Sequence, residues 1–222
     1  MFSGEELQQT IKLLSEGLLD TTYMVGLSVF LSHFLGIPLG IILVTTEEGH
    51  VWENHLINMV LGAIVNATRS IPFIILLVFI MPFTDKVAGT TIGPTAAAVP
   101  LTVGAIPFVA RMVETAFKEI EWGIIEAALA MGASPGQIVR KVLIREALPS
   151  IILGAAITTI TLVSFSAMAG VVGGGGLGDL AVRYGYYRYE KPLMFIIVVL
   201  LIIIVQLIQM TGDVVSARLN KK

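Results

Sequence analysis

The chain has 222 residues, 55% of them hydrophobic and 14% charged, where soluble domains carry about 25% charged residues, and this argues against a water-soluble globule. A net charge of -2, from 14 Lys+Arg and 16 Asp+Glu, provides no basic field for nucleic acid and no acidic disordered tail. Zero cysteines exclude a disulfide framework, thiolate metal centres and a cysteine nucleophile, while a mean hydropathy of +0.88 points to the bilayer.

Residues 1–19 are too polar for a signal h-region and lack a basic n-region and a small-residue cleavage site, so no cleaved leader is expected. Leu7, Ile11, Leu14 and Leu18 recur at helical spacing, with Glu5, Glu6, Gln8, Lys12 and Glu16 on other faces. This pattern reads as an amphipathic lead-in, either lying on the membrane surface or packing against the first span.

Five windows are apolar over the roughly 20 residues that a membrane helix needs. Residues 21–46, 87–110, 147–178 and 192–212 carry no charge, and residues 54–84 carry one, Arg69. The windows do not alternate as outer-membrane strands would. The fold class is therefore all-α, integral to the membrane, with five spans in a domain covering 20–213, and residues 214–222 form a tail.

In the second window, Arg69 and Pro72 fall where the helix meets the membrane surface. Arg69 either anchors the span by snorkelling or pairs with a carboxylate such as Glu114 and exchanges partners during a conformational cycle. The third window holds Gly89, Gly93, Pro94, Pro100, Gly104 and Pro107, a density of breakers tolerated only inside protein or beside a wet cavity.

The connection from 111 to 146 is far longer than two antiparallel spans require. Glu126-Ala-Ala-Leu-Ala-Met is strongly helix-forming, and Gly132 stops that helix in the left-handed conformation. Ser134 then caps a second helix with Pro135 at its first position and Gln137 completing a capping box; this helix is expected over 135–147, ending before Pro149. The product is a helix-turn-helix with too few basic residues to bind DNA, better suited to docking a partner.

In the fourth span, Thr161, Ser164 and Met168 share one face at 100° per residue, with Thr158 and Phe165 at its edge. Hydroxyls in membrane helices commonly bond their own carbonyls or a neighbouring helix. A stripe of them closed by a flexible Met also suits the path and gate of a small polar solute, assigned here to Thr161, Ser164, Phe165 and Met168. The run from Gly173 to Gly178 contains G-x-G-x-x-G but follows a membrane span, so it reads as a helix stop and tight turn and not a dinucleotide site. No P-loop motif is present, and His33, His50 and His55 lack a zinc-binding arrangement. Tyr184, Tyr186, Tyr187 and Tyr189 crowd before the last span, as an aromatic belt or a stacking surface would.

With five spans, nine Lys and Arg residues fall on the side of the long connection and the C-terminus, and five on the other. The positive-inside rule then places the N-terminus outside and the C-terminus in the cytoplasm.

The connection resembles the EAA loop of bacterial ABC importer permeases. That motif reads Glu-Ala-Ala, three residues, Gly, nine residues, an aliphatic residue, one residue, then Leu-Pro. Glu126, Ala127, Ala128, Gly132 and Val142 occupy matching positions; Ile144-Arg145 replaces Leu-Pro, which appears four residues later as Leu148-Pro149. Arg69-Ser-Ile-Pro-Phe-Ile-Ile-Leu-Leu, Thr102-Val-Gly-Ala-Ile-Pro-Phe-Val-Ala-Arg-Met-Val-Glu and Gly173-Gly-Gly-Gly-Leu-Gly are similar to the methionine-uptake branch.

The resemblance implies the type I importer permease fold in the inner membrane, with a cytoplasmic coupling helix-turn-helix between spans 3 and 4, within 111–148. It implies ATPase coupling through Glu126, Ala127, Ala128, Gly132, Ala133, Ser134 and Val142. It further implies a permease homodimer, surrounded by membrane lipid, with two cytoplasmic ATPase subunits and an external substrate-binding protein. The chain itself is then no enzyme and holds no cofactor, since ATP and Mg belong to the ATPase. The expected solute is methionine, L or D, or another small polar solute. An ion-coupled secondary transporter would show intramembrane carboxylates, which the four charge-free windows lack, and a non-transporting scaffold would need neither the hydroxyl stripe nor the long connection.

Overall fold

A computed structural model describes residues 4–220, with side chains from residue 8 onward. The side chains of Glu5, Glu6 and Leu7, and the whole of Lys221 and Lys222, lie outside the described residues. Within them the regular structure is helical: α1 Gly4–Thr45, α2 His55–Arg69, α3 Phe73–Phe79, α4 Met81–Ala88, α5 Pro94–Lys118, α6 Trp122–Ala130, α7 Pro135–Ile138, α8 Ile144–Val171, α9 Gly176–Leu180 and α10 Lys191–Leu219. A π-helical turn, Val139–Leu143, joins α7 to α8, and another, Ala181–Tyr187, extends α9.

Four helical stretches are long and apolar enough to cross a membrane: Gln8–Thr45, Pro94–Lys118, Pro135–Val171 and Lys191–Leu219; α2 and α3 make a fifth if counted as one bent span. The second window is thus not one straight helix. Pro72 has no N–H to continue the ladder and biases Ile71 away from helical angles. The Ser70 hydroxyl donates to the Asn66 carbonyl at 2.8 Å, closing α2, and Pro72 restarts α3 from an extended conformation (ψ 135°).

The third span starts later than its window and runs on to Lys118, unbroken through Pro100 and Pro107. It is the most enclosed of the four long stretches, 61% of its apolar window being buried, as its density of breakers requires. A second departure from expectation lies at Pro149, which sits inside α8 and does not follow a helix end. The second arm of the helix-turn-helix and the fourth span form one continuous helix. Proline has no N–H to meet the Arg145 carbonyl one turn back, yet the helix continues through it, and the Ser216 hydroxyl of α10 donates to the Pro149 carbonyl at 3.0 Å, holding this stretch to the last span.

The chain divides into two compact units. The first comprises the described residues up to Leu31, with Pro72–Gly104 and Thr159–Gln209. Its small residues permit backbone contact: an added Cβ at Gly170 would strike the Asp179 amide, and one at Gly178 the Ala167 backbone. Thr21 Oγ1 accepts from the Leu177 N–H at 2.9 Å, and Leu14 and Leu18 of α1 pack with Leu177, Leu180, Leu193 and Ile197.

The second unit comprises Ser32–Ile71, Ala105–Thr158 and the residues from Met210. Gly36 and Gly40, one helical turn apart on α1, lie against α5; an added Cβ would fall 2.7 Å from Val109 Cβ and 2.5 Å from the Ala110 carbonyl oxygen respectively. This is the small-xxx-small packing of membrane helices. The unit's core is Val44 of α1, Val109, Val113, Ala116 and Phe117 of α5, and Ile125, Ala128, Ile138, Val139, Leu143, Ala147 and Ile151 of the following elements.

Candidate functional site

The helix-turn-helix of the second unit is built from two reciprocal caps. After α6 ends, the Gly132 N–H donates to the Leu129 carbonyl at 2.9 Å and the Ala133 N–H to the Ala128 carbonyl at 3.0 Å. That pair of bonds is a Schellman closure, which needs a left-handed residue between them. Gly132 supplies it at φ +78°. Two residues on, the Ser134 N–H donates to Gln137 Oε1 at 2.9 Å, and the Ser134 side chain accepts from the Gln137 backbone, completing the capping box. The stop at Gly132 and the restart at Ser134 thus follow from residues 126–137 as read from sequence.

These caps give the turn two faces. Inward, Ile125, Ala128, Ile138 and Leu143 are buried against α5, with Ala133 and Val142 partly buried beside them. Outward, Glu126, Ala127, Gly132 and Ser134 are exposed together with Trp122, Ile124, Leu129 and Met131, of which Met131 is 82% exposed. Of the seven sequence-assigned coupling residues, four therefore belong to the outer face and three, Ala128, Ala133 and Val142, to the mounting. Sequence reading missed Trp122 and Met131; the signal was a large apolar residue at each end of a short helix.

The mounting is reinforced electrostatically. Glu114, only 8% exposed, accepts from Arg111 at 2.6 Å and from Lys118 at 3.1 Å, while Lys118 also reaches Glu47 at 2.9 Å. Arg111 further donates to Asn66 Oδ1 at 2.9 Å and the Gly62 carbonyl at 3.3 Å, tying α2 to α5. Of the two readings of Arg69, the pairing with Glu114 is not present: Arg111, three residues from Glu114 on the same helix, takes that carboxylate, and the Arg69 guanidinium lies 6.0 Å from the centre of the Phe108 ring. Nearby, the His50 ring meets Trp122 edge-on at 5.6 Å and accepts from the Val51 N–H at 2.9 Å. Burial pushes the His50 pKa down, against a smaller upward pull from Glu47.

In the first unit, the stripe on α8 is partly turned inward. The Phe165 ring stacks on Phe73 of α3, centroids 4.5 Å apart and planes within 4°, so Phe165 is a packing residue as well as a stripe member. Thr161 is partly buried. Ser164 is exposed and donates to the Ile160 carbonyl at 3.4 Å, and Met168 is 44% exposed. Thr158, at the stripe's edge, lies in the second unit and is buried with its hydroxyl bonded to the Gly154 carbonyl at 2.8 Å.

The glycine run ends α8 as expected. The Gly174 N–H donates to the Ala169 carbonyl at 2.9 Å, Gly173, Gly175 and Gly176 have positive φ, and a helix precedes the run where a dinucleotide site needs a strand. At the tyrosine cluster, Arg188 lies 4.5 Å from the Tyr184 ring centre.

Comparison with known proteins places this geometry. A probable D-methionine transport system permease protein MetI of Vibrio cholerae is 53% identical over 203 residues, 91% of this chain and 90% of that protein. The D-methionine transport system permease protein MetI of Escherichia coli K12 is 54% identical over 158 residues, 71% of this chain and 73% of that one. A solved structure of the MetNI methionine ABC transporter in inward-facing conformations superposes with a TM-score of 0.95 at 49% identity, covering 99% of this chain and 100% of that one. An amino acid ABC transporter solved with histidines shares the fold, with a TM-score of 0.80 at 19% identity over 98% of this chain and 99% of that one. A family model described as the inner membrane component of binding-protein-dependent transport systems matches residues 36–222. Multi-pass, all-helical and close in sequence to these permeases, the chain belongs to the family of binding-protein-dependent transport system inner membrane components.

Proposed function

We propose that the chain is the methionine-conducting permease subunit of an ATP-driven importer and works as a homodimer with two cytoplasmic ATPase subunits and an external substrate-binding protein. The observation that carries this reading is 53% identity across nine-tenths of a D-methionine permease, together with a turn whose outer face is apolar, exposed and rigidly backed. Five spans enclose little room for a path, and a two-fold pair places the route along the shared axis. ATP and Mg act on the partner; this chain contributes a path, a gate and a lever, and no cofactor.

Glu126, Ala127, Gly132 and Ser134 form the surface that the ATPase grips, while Ala128, Ala133 and Val142 pass its displacement into the core. The second arm of the turn is the same helix as the fourth span, Pro135–Val171, so a push on the turn reaches the stripe on that span without crossing a loop. Nucleotide-driven closure of the ATPases then selects between inward-open and outward-open states. Met168, paired with its copy across the axis, seals the route at rest, with Thr161, Ser164 and Phe165 lining it.

The turn faces the cytoplasm and the N-terminus lies outside, following the nine-to-five distribution of basic residues. Cysteines placed singly at Gly136 and Asp85 should react with an impermeant reagent from opposite sides of the membrane. Equal labelling of both in intact cells would contradict this orientation. Co-purification of an ATPase with the tagged chain tests the importer reading against ion-coupled transport, which needs no such subunit.

A further inference from the structure

The second unit holds a groove of about 400 Å³ between α5, α8 and the end of α2, a size in the range of small-molecule sites, roughly 300–1,000 Å³. Arg69 lies at one end, above Phe108. Among the described residues Arg69 makes no ion pair, whereas its neighbour Arg111 is engaged by Glu114, Asn66 and the Gly62 carbonyl. The walls are Met112, Leu153 and Ile157. At the far end Glu119 accepts from the Ser150 hydroxyl at 3.1 Å, and a second cavity of about 250 Å³ continues from there past Glu121 and Glu146.

We infer that this groove is a transient binding site for the free amino acid on its way out, with the Arg69 guanidinium holding the α-carboxylate. The inference rests on the importer reading and adds a site to it. A guanidinium recognises a carboxylate through paired N–H donors, and Arg69 has those donors to give. The order of charges, cationic at Arg69 and anionic from Glu119 onward, aligns a zwitterion with its ammonium toward the acidic end. Apolar walls and the thioether of Met112 suit an unbranched apolar side chain. A phospholipid fits less well, because its acyl chains exceed the groove's volume.

The chain has no cysteine, so Leu153→Cys places one reactive thiol on the groove wall. In the purified complex of permease and ATPase, millimolar L-methionine should slow maleimide labelling of this thiol at least five-fold. The decarboxylated analogue 3-(methylthio)propylamine should not. Protection should disappear with Arg69→Gln and return in part with Arg69→Lys, while a control thiol at Glu48 labels alike throughout, which separates loss of the site from loss of the fold. Unchanged labelling with methionine, or equal protection by the amine, overturns the inference. So does protection that survives Arg69→Gln, or that depends on anionic lipid and not on methionine. Uptake of labelled methionine by the wild type is measured alongside: uptake without protection removes the site and leaves the importer reading intact, whereas absence of uptake removes that reading.

Discussion

At Gly132 the cost of a side chain is conformational and not steric. Nothing lies within 4 Å of an added Cβ, yet the backbone is held at φ +78° by the bonds that close the turn. A β-branched residue in that region is a severe outlier, and left-handed geometry costs about 1–2 kcal/mol for an L-residue. Gly132→Val should therefore leave the protein in the membrane and weaken ATPase binding or solute-stimulated hydrolysis. Glu126→Ala removes one exposed charge, worth about 0–1 kcal/mol, and should be milder. Normal assembly and stimulated hydrolysis in well-expressed Gly132→Val would make the glycine only a convenient stop. Met168 is tested separately: Met168→Ala should raise basal leak or uncouple ATP use from uptake, and wild-type leak and coupling would reduce Met168 to a packing residue.

Among the elements, the mounting of the turn depends on Glu114, a buried carboxylate near the end of α5. It serves two cations, so its removal leaves Arg111, itself largely covered, without its anion. Glu114→Gln should lower the stability of the purified complex by at least about 1–3 kcal/mol, the penalty for an unsatisfied buried polar group, which a charged partner raises. Glu47→Gln, whose half-exposed carboxylate pairs with Lys118, should cost less than about 1 kcal/mol. Thermal midpoints measured for both variants decide this, and an equal loss would place Glu114 among ordinary surface charges.

These elements also mark how far the sequence was legible. Caps are local, and the Ser134 to Gln137 box and the left-handed Gly132 could be read because all their partners lie within a few residues. The pairing of Glu114 could not, because Arg69 and Arg111 are chemically equal candidates until helix placement selects the neighbour on the same helix. Ala128 belongs inside and Ala127 outside, a distinction that a nearly all-apolar nine-residue helix does not encode in its pattern. Pro72 and Pro149 show the same limit from another side: one breaks a span and the other is absorbed into a helix, although the two read alike as helix breakers in sequence.

For the whole molecule, composition and charge placement were enough to specify a multi-pass helical membrane protein, since burial of some 20 apolar residues per span needs no knowledge of contacts. The resemblance in residues 126–142 then specified the family, and the match over residues 36–222 bears it out. What composition cannot convey is the solute, because no residue of the stripe selects one side chain over another. The most direct measurement is uptake into proteoliposomes containing the permease with its ATPase, supplied with the external binding protein and labelled L- or D-methionine. ATP-dependent accumulation of methionine that requires the binding protein, and that an imposed ion gradient does not replace, is the expected result. Accumulation driven by an ion gradient without ATP, or ATP-dependent import of a different solute with none of methionine, would contradict it.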